Sequence, residues 1–168
     1  MLEVINPATG KIFDRIEETS PADLSACYER SQKAQRKWAS SAFQERKAIL
    51  TRFNQALLAE KEECAKILCQ EMGKPFHQAV SEIENTALRV DWFLEQSESL
   101  LETKIMYSAK GVQEKISWDP LGVVLNISAW NFPYFIGTNV IIPALLTGNS
   151  VLYKPSEICP FFSACILG

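Results

Sequence analysis

The sequence predicts an α/β protein: a helical layer, then a β-hairpin, then the opening β-α-β of a parallel sheet. Three observations carry this. Residues 120–157 read P-L-G-V-V-L-N-I-S-A-W-N-F-P-Y-F-I-G-T-N-V-I-I-P-A-L-L-T-G-N-S-V-L-Y-K-P-S-E, a β-branched run, a turn, an apolar helical stretch and a second short β run. Residues 20–101 place apolar side chains at helical spacing. Residues 104–118 alternate instead, around Ala109-Lys110-Gly111, as a hairpin does.

Each element follows in order. Asn6-Pro7-Ala8-Thr9-Gly10 is a turn cluster between β-like runs at 3–5 and 11–16, a small hairpin that packs on a larger body. Ser20-Pro21-Ala22-Asp23 starts a helix, with a Ser cap, Pro at the first helical position and an acid in the first turn. That helix runs to about Trp38, with Leu24, Cys27, Ser31, Ala34 and Trp38 on one stripe. A second helix is expected over 43–72, inward on Ile49, Phe53, Leu57, Cys64, Ile67 and Leu68, and Gly73-Lys74-Pro75 ends it. A third spans 76–101 with Val80, Ile83, Ala87, Val90 and Leu94 inward. The Glu and Lys residues between these stripes read as solvated faces. Strands at 123–127 and 151–153 flank a helix that stops at Gly148-Asn149.

Bulk properties exclude several classes. The chain has 168 residues, 47% hydrophobic and 22% charged, with a formal net charge of −3, which gives no electrostatic case for nucleic acid or an anionic membrane. The most apolar stretch, 121–146, is interrupted by Asn126, Asn131, Pro133, Asn139 and Pro143 and does not read as a membrane span. Met1-Leu2-Glu3-Val4 lacks the features of a signal peptide. Cys27, Cys64, Cys69, Cys159 and Cys165 have no paired metal-ligand or disulfide spacing, so no metal site is expected. A cytoplasmic, reduced protein follows.

In parallel sheets ligands sit beyond the carboxyl ends of the strands. Asn131 and Lys154-Pro155-Ser156-Glu157 lie just past those two ends. Taken alone, Asn131 reads more readily as a cap of the following helix than as a site residue, and Lys154 and Glu157 as ordinary surface charges.

Six pieces then combine: I-N-P-A-T-G-K from Ile5, E-M-G-K-P at 71–75, P-L-G-V-V from Pro120, W-N-F-P from Trp130, P-A-L-L-T-G-N from Pro143 and K-P-S-E from Lys154. In this order and spacing, over nearly the whole chain, they resemble the N-terminal part of the aldehyde dehydrogenase superfamily. The overall look is similar to the succinate-semialdehyde and general NAD(P)-dependent aldehyde dehydrogenases. The resemblance implies an N-terminal hairpin and helical layer of the cofactor domain over 1–102, an oligomerisation hairpin arm over 103–118, and an incomplete Rossmann-like NAD-binding sheet over 119–168. It implies oxidation of a small-molecule aldehyde, succinate semialdehyde among the candidates, through a cysteine thiohemiacetal with hydride passing to NAD(P)⁺.

On that resemblance Asn131 is the oxyanion residue, a neutral donor held rigidly against developing negative charge. Lys154, Ser156 and Glu157 stand at the adenosine ribose, and Ile127, Ser128, Ala129 and Trp130 lie along the cofactor by backbone contact. A carboxylate at Glu157 repels a 2′-phosphate, so NAD is expected over NADP. Ala129 departs from the family, which usually has Pro there, and loosens the turn. Phe132 and Phe135 are placed along the aldehyde channel, or equally in the core. No G-x-G-x-x-G occurs; the family binds its cofactor without it.

The family's nucleophilic Cys and its water-activating Glu belong to downstream sequence, and the cysteines here read as structural. His77 opens an outer helix and makes no recognisable Cys-His pair. Residues 160–168 read as the start of a further helix. The expectation is a piece of a longer homo-oligomeric enzyme, inactive by itself. The alternative is a truncated or degenerate product that serves at most as an oligomerisation or nucleotide-binding piece.

Overall fold

The computed structural model describes residues 1–160; the expected helix start beyond Pro160, and with it Cys165, lies outside them. Two antiparallel strands open the chain, β1 (Leu2–Asn6) and β2 (Lys11–Ile16), joined where Asn6-Pro7-Ala8-Thr9-Gly10 calls for a turn. Four helices follow: α1 (Pro21–Ala39), α2 (Phe43–Ala59), α3 (Lys61–Met72) and α4 (Phe76–Leu101). The hairpin β3 (Lys104–Ala109) and β4 (Val112–Ile116) comes next. The parallel unit closes the described chain: β5 (Val123–Ile127), α5 (Pro133–Leu146) and β6 (Ser150–Lys154). No helix among the described residues is long and apolar enough to cross a membrane.

The core is built around α4 and α5. Leu57, Cys64, Ala65, Leu68, Ala79, Ile83 and Tyr134 form one buried cluster, and Leu50, Val90, Leu94, Ile142 and Leu146 a second. The inward stripe expected of α4 holds at Ile83, Ala87, Val90 and Leu94, all buried, while Val80 is half-buried against the first cluster. A fully buried side chain such as Leu68 or Ile142 contributes roughly 1.5–3 kcal/mol by leaving water.

Three helical expectations are corrected. The single helix over 43–72 is two helices, broken at Glu60, whose N–H closes the end of α2 on Ala56 O and whose carbonyl opens α3. Neither Gly nor Pro marks the break, so no sequence signal announces it; it lets both helices pack on α4. Within α2 the buried residue is Leu50, and Ile49 is exposed. In α1 no residue is buried, and Leu24 is exposed. This helix docks on the sheet side through polar contacts instead: Trp38 Nε1 donates to Leu145 O at 2.8 Å, and Gln35 Nε2 to Gly148 O at 3.0 Å.

The hairpin β3–β4 is exposed along its whole length, so its alternation has no inward face within the described residues. Solvation of the charged residues between the helical stripes also fails at three positions. Glu71 and Glu82 are buried, and the side chain of Lys74 is 7% exposed.

Candidate active-site corner at the strand ends

The parallel register sets Ile127 opposite Lys154, so β5 and β6 finish level with each other. The Ser128 N–H extends the pairing by one step, donating to Lys154 O at 3.0 Å. Ile127, Ser128, Ala129 and Trp130 thus run beside Lys154 to Glu157 at one end of the sheet. Ser128 and Ser156 are buried; Ile127, Ala129, Trp130, Lys154 and Glu157 are exposed. Lys154 Nζ stands 3.4 Å from Glu157 Oε2, and Ser156 Oγ is 3.4 Å from the same oxygen. The Glu157 carboxyl is held below the ordinary carboxylate value, first by its backbone N–H and then by Lys154, so it is an acceptor at neutral pH. Trp130 and Glu157 line one cavity of about 360 Å³ with β1 and the end of α3.

Asn131 sits on the turn between β5 and α5 and is exposed. Its reading as a helix cap is corrected. Phe132 occupies the cap position of α5, and no side chain of its own caps the helix there. The first-turn donors are instead taken by Glu82, which reaches across from α4: Oε1 accepts from Tyr134 N–H at 2.9 Å and from Phe135 N–H at 3.5 Å. Pro133 opens the helix and has no N–H to satisfy.

The other carboxylate oxygen of Glu82 pairs with Lys74 Nζ. That ammonium also donates to Asn131 O at 2.8 Å and lies 4.0 Å from the centre of the Phe132 ring. Burial pushes the Glu82 carboxyl up, and the opposing pull of Lys74 and of the two backbone N–H groups only partly offsets it. Lys74 reaches this place because α3 ends at Gly73, φ +73°, where a Cβ would stand 2.9 Å from Pro7 Cγ. Sequence reasoning misses Lys74 and Glu82: they lie on different elements, and only the E-M-G-K-P piece hinted at the first.

Phe132 and Phe135 share a cavity of about 500 Å³ with Glu82, Asn85 and Arg89. Arg89 Nε donates to Asn139 Oδ1 at 3.0 Å, and its guanidinium lies 4.8 Å from the Trp92 ring centre. Cys159 is buried at the same corner, its Sγ 3.6 Å from Trp130 O. Burial pushes its thiol up to about 12, with Glu71 and Glu82 adding in the same direction, so it is a poor nucleophile. No group of His, Cys, Asp and Glu able to hold a metal occurs among the described residues.

Known proteins match this chain throughout. It is 31% identical over 97% of its length to a probable succinate-semialdehyde dehydrogenase [NADP(+)] of Sinorhizobium fredii, of which it covers 33%. It is 34% identical over 93% of its length to the succinate-semialdehyde dehydrogenase [NADP(+)] of Deinococcus radiodurans, of which it covers 32%. A solved succinate-semialdehyde dehydrogenase of Burkholderia pseudomallei superposes with a TM-score of 0.91 at 30% identity, over 98% of this chain and 34% of the other. The chain therefore spans about a third of the length of the curated relatives it matches. The sequence profile of the aldehyde dehydrogenase family matches residues 1–167, and the chain belongs to that family.

Proposed function

We propose that this chain supplies the oxyanion donor and the ribose-binding corner of an NAD(P)-dependent aldehyde dehydrogenase, with Asn131 as the donor. The observation that carries the reading is the division of labour at the β5–α5 turn. Glu82 accepts from the first-turn N–H groups, which frees the Asn131 amide from capping and leaves it exposed on the corner beyond the strand end. A neutral amide fixed there lowers the barrier to nucleophilic attack on a carbonyl, because it need not reorganise as charge develops on oxygen. The nucleophilic thiolate and the water-activating carboxylate are assigned to the remaining length that the relatives have.

Lys154 and Glu157 fit the cofactor's adenosine ribose: one exposed cation and one ionised carboxylate, side by side, offer a donor and an acceptor to vicinal hydroxyls. NAD(P)⁺, when bound, takes up the hydride. The curated relatives described above carry NADP(+) in their names, whereas Glu157 favours NAD here, since its charge opposes a 2′-phosphate.

Phe132, Phe135 and Arg89 fit an aldehyde with an acidic tail, aromatic walls ending at a guanidinium. That supports a semialdehyde such as succinate semialdehyde. The exposed Ile105, Met106, Val112 and Ile116 of β3–β4 supply apolar surface for a homo-oligomeric arm. The free thiols of Cys27, Cys64, Cys69 and Cys159 suit a reducing cytoplasm.

The test is aldehyde-dependent NAD(P)H formation by the full-length protein that carries this chain. Semialdehyde acids should be oxidised in preference to uncharged aldehydes of equal length, and Arg89→Met should erase that preference. No aldehyde-dependent reduction of either cofactor would refute the activity, and an unchanged preference would remove Arg89 from substrate recognition.

A further inference from the structure

We propose that the buried Lys74–Glu82 ion pair is the positioning device of the Asn131 turn. It holds the residue from both sides, through the Asn131 carbonyl and through the first-turn N–H groups of α5. The inference rests on the oxyanion reading of Asn131 and concerns residues that reading did not use.

Four contacts converge on the turn. Lys74 Nζ donates to Asn131 O at 2.8 Å, before the corner. Glu82 Oε1 accepts from Tyr134 and Phe135 N–H, after it. Glu82 Oε2 pairs with the same Lys74 ammonium, which also covers the face of Phe132. The two ends of the 131–135 segment are thereby tied to one charged pair, anchored on the α3–α4 connection and on α4. The glutamate side chain is 0% exposed and that of the lysine 7%. An ion pair this buried has an energetic cost that apolar residues would avoid, and a role in fixing geometry accounts for its place here.

The turn is held from outside, by charge-assisted bonds to its backbone. Two of those bonds meet backbone N–H groups at a helix N-terminus, where an anion is favoured.

The test separates positioning from folding and from the oxyanion reading itself. In the full-length enzyme, the rate of the first-turnover NAD(P)H burst is measured for Glu82→Gln and Lys74→Met, each alone and combined with Asn131→Ala. Glu82→Gln keeps side-chain size and a carbonyl acceptor, so it tests the charge without leaving a cavity. Each single variant should slow the burst about tenfold, the scale of one lost charge-assisted hydrogen bond, with aldehyde KM and cofactor Kd unchanged. Lys74→Arg should restore most of the rate. On the Asn131→Ala background the same changes should cost about twofold or less, because the residue being positioned is gone. Equal losses on both backgrounds would overturn the proposal.

If Asn131→Ala itself leaves the burst unaltered, the oxyanion reading has failed, and the clamp is decided separately. Amide exchange in the full-length protein then gives the answer. Glu82→Gln should speed exchange at Tyr134 and Phe135 about tenfold while Val90, on the same helix as Glu82, is unchanged. Unaltered protection at Tyr134 and Phe135 would overturn it.

Discussion

Replacing Lys74 by methionine leaves the Glu82 carboxylate buried with two backbone N–H donors and no counter-charge. An unpaired buried charge of this kind costs about 3–5 kcal/mol if it stays ionised. The side chain has a cheaper course, which is to take up a proton. Neutralisation costs about 1.4 kcal/mol for each pH unit above the ordinary carboxylate value of 4.5. That sets a ceiling of about 3 kcal/mol at pH 7 and under 1 kcal/mol at pH 5. The sign follows from proton uptake. Burial already raises Glu82 in the folded protein, and losing Lys74 raises it further. Between the ordinary value and the folded one the folded state holds a proton that the unfolded state has released, so stability falls as pH rises through that window. Urea unfolding of wild type and Lys74→Met at both pH values reads the difference directly. The loss should grow from pH 5 to pH 7, and Lys74→Met with Glu82→Gln should recover most of it. A loss independent of pH, or a double variant no better than the single, would refute the reasoning.

Two further outcomes are expected. Glu157→Gln should improve use of NADP relative to NAD about tenfold, since a unit charge about 4 Å from a phosphate in water is worth roughly 1 kcal/mol per charge pair; unaltered cofactor preference would place the ribose contact elsewhere. Cys159, with its thiol pushed up to about 12, should alkylate with iodoacetamide at pH 8 at least about a hundredfold more slowly than the half-buried Cys27 in the native protein. Equal labelling rates would show that the corner opens.

Local signals in the sequence are strongest where they are chemically specific. Ser20 with Pro21 marks the start of α1, and Ser20 Oγ does accept from Asp23 N–H at 3.1 Å. The β-branched run at Val123 and the stop at Gly148-Asn149 locate the β-α-β unit within a residue or so. Such signals fail where tertiary contacts decide. The break at Glu60 has no breaker residue, because packing of both halves on α4 makes it. The α1 stripe is genuine as a pattern, yet its helix lies on the sheet side by polar bonds and buries no residue.

The same distinction applies to the candidate corner. Asn131, Lys154 and Glu157 were legible because they follow strand ends and sit in recognisable words of sequence. Lys74 and Glu82 were not, since each looks like one charge among many on a helical surface. Their meaning comes from a through-space convergence on the 131–135 backbone that spacing along the chain cannot express. The solvated-face expectation is sound for Lys66 and Glu63, an exposed pair on α3, and wrong for Lys74 and Glu82, which pair with each other against the 131–135 segment.

The most direct test of the central claim is the first-turnover rate of Asn131→Ala in the full-length enzyme, followed as the burst of NAD(P)H on mixing with aldehyde. Losing an oxyanion donor should slow that burst about a hundredfold or more, with cofactor affinity unchanged. A burst at the wild-type rate would show that Asn131 does not hold the developing oxyanion.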